Sequence, residues 1–351
     1  MDILQISQTA LTVILGTIGL AVFGIIFGLI YKGVDRKLSA HMQGRIGPPI
    51  RQPFRDVRKL FVKENIVPEN AISWIFHLAP VFGLVATISI LLYLPIGGFN
   101  PLILSNGDLI LILYLLILPS LAMVVGGFSS GSPYATVGAQ REMATMIAYE
   151  FPLAIIIISM AWRLSMEGVS NVFALSSIIS TPIWNIVGPL GFIGSIILLL
   201  ALVLVTPAEL SKIPFDSPEA ETEIAGGLLT EYSGRNLAMF YLTDAVKTLV
   251  MASIIVVLFF PYNLSPLFGL ESYPAFAVDI IFYLVKVLLV LLFSVTLIRV
   301  AIARLKIDQI VYTYWVPITL LTLVGLIFLM WDQTIMVNFG IQPVFQIFGI
   351  A

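Results

Sequence analysis

The sequence contains no cysteine. It can form no disulfide, thiolate nucleophile, Cys-ligated iron–sulfur cluster or haem thioether link. Two histidines, His41 and His77, are too few for a His-rich metal centre or a bis-His haem. No metal site and no redox cofactor are therefore expected in this chain itself. Charge is equally scarce. Only 11% of the 351 residues are charged, against about 25% in soluble globular chains. That is too little to cover a soluble protein of this size. It also excludes an intrinsically disordered chain, and the balance of 18 basic to 20 acidic residues excludes a nucleic-acid binder with a basic face.

What the sequence has instead is apolar length. Hydrophobic residues make up 59% of the chain, and mean hydropathy is +1.03. About 20 apolar residues cross about 30 Å of hydrocarbon as a helix. Eight runs meet that length: Ile3–Tyr31, Trp74–Ile96, Leu109–Phe128, Met143–Arg163, Ile186–Pro207, Leu237–Phe260, Phe276–Ile298 and Tyr312–Trp331. The runs are continuous rather than alternating, which argues against a β-barrel. The expected fold is all-α: one polytopic membrane domain over 1–351, of about eight transmembrane helices. The first run is not a secretory signal, since it is too long and has no basic segment before it.

Lysine and arginine set the orientation. With both termini outside, the inside loops are 32–73, 129–142, 208–236 and 299–311. They carry nine, one, two and three basic residues, 15 of the 18 in the chain. The rest are Arg163 at a helix end and Lys247 and Lys286 within spans. No paired broken helices of the secondary-transporter kind are visible.

The first inside loop is basic, with a net charge of +5. Gln43-Gly44-Arg45-Ile46-Gly47-Pro48-Pro49 forms a turn. Pro53 to Lys63 reads as an amphipathic helix in the interface plane, with Phe54, Val57, Leu60 and Phe61 on one face. Two readings stay open for this loop: an anchor that fixes topology, or a docking surface for a soluble partner. The docking surface would use Arg36, Arg45, Gly47, Pro48, Arg51, Arg55, Arg58 and Lys59. The loop 208–236 is acidic. Glu209, Asp216, Glu219, Glu221, Glu223 and Glu231 face only Lys212 and Arg235. On a helix Glu219 and Glu223 share a face. Crowded carboxylates share protons, as a proton relay requires. A solvated acidic loop is the alternative.

Charges within spans are costly and so mark function by default. Glu150 lies in the fourth span, followed by Pro152. Asp244 and Lys247 lie i,i+3 apart in the sixth span, and either form a structural pair or belong to the relay. Lys286 sits mid-way through the seventh, and Asp279 reads as an interfacial acid. If the fourth to sixth spans pack together, Glu150, Glu209, Asp244 and the 219–231 cluster line one path.

Three stretches carry a resemblance. The first is Gln43-Gly44-Arg45-Ile46-Gly47-Pro48 with Gln52-Pro53, Asp56, Lys59-Leu60 and Lys63-Glu64. The second runs from Gly126 through Tyr134, Gly138 and Arg141 to Tyr149-Glu150. The third, the most specific, runs from Pro214-Phe215-Asp216 through Pro218-Glu219-Ala220-Glu221-Thr222-Glu223 to Glu231-Tyr232-Ser233-Gly234. Over roughly residues 15–310 the chain resembles the subunit 1 family of respiratory complex I, the proton-pumping NADH:quinone oxidoreductases. That family includes the related membrane subunit of group 4 membrane-bound nickel–iron hydrogenases. Gly47-Pro48-Pro49 in place of Gly-Pro-Asn, and Glu209-Leu210-Ser211-Lys212 in place of Glu-Thr-Asn-Arg, look closer to the hydrogenase branch and to archaeal sulfane-reductase complexes.

The resemblance implies a non-catalytic coupling subunit in a cell membrane, surrounded by lipid, with cytoplasmic inner loops. It would join soluble electron-transfer subunits on the inner face to antiporter-like membrane subunits. Iron–sulfur clusters, and a nickel–iron (NiFe) centre in a hydrogenase-type complex, would belong to those partners. The family's acids fall on Glu150, Glu209, Glu219, Glu221, Glu223, Glu231 and Asp244, the last an Asp where complex I members tend to have Glu. Asp216, Lys247 and Lys286 complete the relay set, and Arg141 joins the docking set. A stand-alone cation transporter and a quinone-binding subunit remain the alternatives.

Overall fold

The computed structural model describes residues 3–269 and 272–347. In chain order the helices are α1 (Ile3–Met42), α2 (Gln52–Val62), α3 (Ser73–Leu91), α4 (Asp108–Ser129), α5 (Pro133–Met166), α6 (Leu175–Ser180), α7 (Ile183–Ile186), α8 (Pro189–Glu209), α9 (Glu221–Ile224) and α10 (Gly234–Phe259). Then α11 (Tyr273–Leu291) continues through a π-helical turn, Leu292–Thr296, into α12 (Leu297–Ala301). A second π turn, Tyr314–Ile318, joins α13 (Ile307–Thr313) to α14 (Thr319–Phe339), and α15 (Val344–Ile347) follows. Among the described residues the only β pairing is an isolated bridge between Ile96 and Phe99. Eight of these rods are long and apolar enough to cross a membrane. The chain is an all-α, multi-pass membrane protein.

Of the spans that run further than the apolar pattern indicates, two bear on the charged residues. α1 continues past Tyr31 to Met42, so Lys32, Asp35, Arg36 and Lys37 stand on a helix rather than in a loop. Hydropathy marks only the segment that hydrocarbon can hold. Lys and Arg are good helix formers, and the helix carries on beyond that segment. α5 begins at Pro133, well before Met143. Proline suits the first helical turn, where its missing N–H has no partner to lose. The expected loop 129–142 shrinks to residues 130–132.

The sixth span is the axis of the bundle. Every residue from Ala245 to Phe259 is buried, as befits a largely apolar helix at the centre of a bundle. α10 packs against α1, α3, α8 and α11, while α14 packs on α8 and α5. In lipid there is no water-driven force between helices, so close backbone approach matters. Gly28 supplies it on α1: a Cβ there would lie 2.4 Å from the Ala245 carbonyl oxygen. Gly194 and Gly325 do the same for α8 and α14, where a Cβ on Gly194 would sit 3.0 Å from the Gly325 carbonyl oxygen.

α2 lies against the bundle by its apolar side. Val57 packs among Leu29 of α1 and Leu242 and Ala245 of α10. The apolar face expected to meet the membrane interface thus largely covers protein, while Phe61 and Val62 stay exposed.

Candidate functional site

The C-terminal end of α1, the α4–α5 turn, residues 210–233 and the N-terminal end of α10 gather at one end of the bundle. There a cavity of about 540 Å³ is walled by six acids and six bases. The acids are Asp35, Glu209, Asp216, Glu219, Glu221 and Asp244, and the bases are Lys32, Arg36, Lys212, Lys247, Arg299 and Arg304.

Asp244 is the hub. Lys32 of α1 reaches it at 2.5 Å, and Lys212 lies 2.7 Å from each of its carboxylate oxygens. The Lys32 ammonium also sits 3.3 Å from the centre of the Tyr241 ring, a cation–π contact strengthened by desolvation. Asp244 and Lys247 do not pair with each other. One helical turn further along α10, Lys247 reaches Glu209 at 2.8 Å and donates to Ser120 Oγ at 2.8 Å. Glu209 ends α8, where the helix dipole disfavours an acid. Lys247 offsets that cost. Lys247 lies about 20 Å along α10 from Gly234 at about 1.5 Å per residue, so this pair is deep.

The rim is tied by further pairs. Arg304 meets Asp216 at 2.8 Å, and Arg299 meets Asp35 at 2.9 Å. The π turn brings Thr296 to donate to Asp35 at 2.8 Å. Burial pushes the Asp216 carboxyl up, with Arg304 opposing. Burial likewise raises Glu219, and Lys212 opposes that shift.

A second hollow of about 440 Å³ adjoins the first and shares Arg36, Ile213 and Arg299 with it. Its other wall is the turn Gln43 to Pro48. Gly44 there takes a φ of +69°, a left-handed conformation that glycine adopts without strain. Ile46 at the tip is 99% exposed. The exposed turn and the charged cavity therefore stand on opposite sides of a shared wall, Arg36, Ile213 and Arg299.

Several residues singled out from the sequence fall elsewhere. Glu219 and Glu223 do not share a helix face, because extended Ala220 separates a 3₁₀ turn from α9. Glu219 lines the cavity. Glu223 points out and takes a 2.6 Å contact from Arg141, which also donates to the Ser217 carbonyl. Arg141 is thus engaged within the chain. Glu231 is half-buried and outside the cavity wall, as is Glu150, whose buried Oε1 has no hydrogen-bond partner among the described residues. Lys286 lies at the far end of α10 and donates to the Phe260 and Tyr262 carbonyls at 2.9 and 2.7 Å. Asp279 is buried, accepting from the Leu264 and Ser265 amides and the Ser265 hydroxyl. Of the basic loop, Arg36 pairs with Asp56 at 3.1 Å, while Arg45, Arg51, Arg55, Arg58 and Lys59 are exposed.

Residues 15–330 match the model of the NADH dehydrogenase family. The chain belongs to that family. It is 31% identical over 330 residues to an F(420)H(2) dehydrogenase subunit of Methanosarcina mazei, covering 88% of this chain and 91% of that protein. It is 33% identical over 352 residues to an NADH-quinone oxidoreductase subunit of Syntrophotalea carbinolica, covering 93% and 99%. A solved chain of the membrane-bound sulfane sulfur reductase, an archaeal respiratory membrane complex, superimposes with a TM-score of 0.77 at 29% identity, over 90% of this chain and 99% of that one. As a member of the NADH dehydrogenase family, the chain is a membrane subunit of an oxidoreductase complex.

The apolar pattern does not single out Glu142. It is 1% exposed on α5 and accepts from Ser211 Oγ at 3.3 Å. Glu142, Thr145 and Tyr149 form a polar stripe at i, i+3 and i+7, which becomes legible once α5 is known to start at Pro133. In the sequence Lys32 and Lys212 are only loop charges. Their partner Asp244 lies 212 and 32 positions away.

Proposed function

We propose that this family member holds a soluble redox module against its charged end and relays the module's change of state into the membrane. The observation that carries this reading is that the exposed Gln43–Pro48 turn adjoins the twelve-charge cavity across a shared wall of Arg36, Ile213 and Arg299. A soluble subunit seated on Arg45, Gly47, Pro48 and Arg51 would lie directly over the cavity mouth. Displacing one ion-pair partner there leaves another charge uncompensated, and a buried unpaired charge costs several kcal/mol. Such a cost can drive a rearrangement deeper in the bundle. The Lys32–Asp244–Lys212 clamp and the Glu209–Lys247 pair are the elements placed to respond.

In this reading the charged end faces the cytoplasm of a cell whose plasma membrane holds the bundle. Antiporter-like membrane subunits carry the ion path onward. Electrons stay in the partner subunits, on iron–sulfur clusters and, in a hydrogenase-type complex, a nickel–iron centre. The chain itself has no cysteine to ligate either. The test is isolation of the tagged chain in mild detergent. Soluble iron–sulfur subunits and polytopic partners are expected to co-purify, and Arg45→Glu is expected to release the soluble module while the membrane partners stay. Isolation of the native chain as a lone monomer or homodimer would overturn the proposal.

A further inference from the structure

At the inner wall of the cavity lies a small cluster built around an acid outside the relay set. Glu142 of α5, Glu209 of α8 and Lys247 of α10 are 1%, 2% and 3% exposed. The charged groups acting on Glu142 are Lys247, Glu219 and Glu209, with Ser120 of α4 also facing it. Tyr149 and Glu150 follow on its own helix, and Glu150 in turn feels Glu209 and Lys247.

The charges in this core do not balance if every group is ionised. Lys247 is committed to Glu209 at 2.8 Å and to Ser120 at 2.8 Å. Glu142 has no basic side chain within ion-pair distance among the described residues. Its Oε2 accepts from Ser211 at 3.3 Å, and the other side chain that reaches it, Ser120, is a neutral hydroxyl. An unpaired carboxylate in such a place costs several kcal/mol, whereas a neutral acid costs far less. Two neighbouring buried carboxyls that share one cation hold a proton between them. The contact with Lys247 assigns the ionised form to Glu209, which leaves Glu142 as the neutral partner.

We propose that Glu142 carries a resident proton in the resting subunit and exchanges it with the charged cavity through Ser211. Ser211 lines the cavity and donates to Glu142, so its hydroxyl stands between the acid and the cavity. In the resting bond the Ser211 hydroxyl donates to Glu142; in the outward step it turns to give its proton to a cavity carboxylate as Oγ takes the Glu142 proton. Serine ends unchanged, Glu142 becomes a carboxylate, and the cavity acid becomes neutral. Net charge is conserved, and Lys247 is the cation nearest the new carboxylate. The resident proton stands on this local geometry alone. Its use in coupling rests on the function proposed above.

The experiment is infrared difference spectroscopy on the intact complex, comparing the native chain with Glu142→Gln. The native-minus-variant spectrum is expected to contain the carbonyl band of a protonated carboxylic acid, shifting on transfer to deuterated water. Absence of that band from the difference spectrum overturns the proposal. Ser211→Ala is expected to keep the band and slow its deuterium shift several-fold. An unchanged exchange rate overturns the Ser211 route. A Glu142→Gln complex that lacks the band yet translocates ions at the full ratio would sustain the resident proton and contradict its part in the relay.

Discussion

Lys247 and Glu209 meet at 2.8 Å in the interior of the bundle, on different helices and nearly out of reach of solvent. The pair ties the middle of α10 to the end of α8 by charge. Removing one member of such a pair leaves the other as an uncompensated buried charge, at about 3–5 kcal/mol. Replacing both by apolar groups of similar volume is often neutral. Lys247→Met alone is expected to lower the melting temperature of the complex sharply, and Lys247→Met with Glu209→Leu to recover most of the loss. Thermal unfolding in detergent checks this. A double variant as unstable as the single one would show that the two residues act separately.

Glu219 gives the cavity a pH dependence of known sign. Burial raises its folded-state pKa above the ordinary carboxylate range. The folded state therefore binds the proton more tightly than the unfolded chain. Its contribution to stability is intact below the ordinary glutamate range and is lost as pH rises toward the folded-state value. Native protein and Glu219→Gln are expected to melt together at about pH 3.5, below the ordinary glutamate range, and the native protein to melt lower at about pH 8. Melting curves at the two pH values test it. A native protein that gains stability over the variant at the higher pH would mean that Lys32 and Lys212 outweigh burial.

The eight spans were legible because lipid demands long apolar runs. The ends of the spans were not. Met143 begins the apolar run of α5, but the helix starts at Pro133, and Glu142 falls on the wrong side of that line. The pairing of charges was the least accessible part. Asp244 and Lys247 look like a pair at i,i+3, yet each takes its partner from another element: Lys32 and Lys212 for one, Glu209 for the other. Helical spacing gives the face a residue stands on, while its partner depends on which helix packs there. Glu219 and Glu223 show the same gap at short range. Extended Ala220 turns the two acids apart, one into the cavity and one out to Arg141.

In the proposed mechanism the charged cavity converts the state of a docked redox module into ion movement. The most direct measurement is the number of ions translocated per electron transferred, in proteoliposomes of the assembled complex carrying Asp244→Asn. The clamp by Lys32 and Lys212 then loses its shared negative charge while the side-chain shape is kept. Electron transfer is expected to continue with the ion-to-electron ratio severely reduced. A complex that assembles, transfers electrons and keeps the full native ratio would contradict the claim.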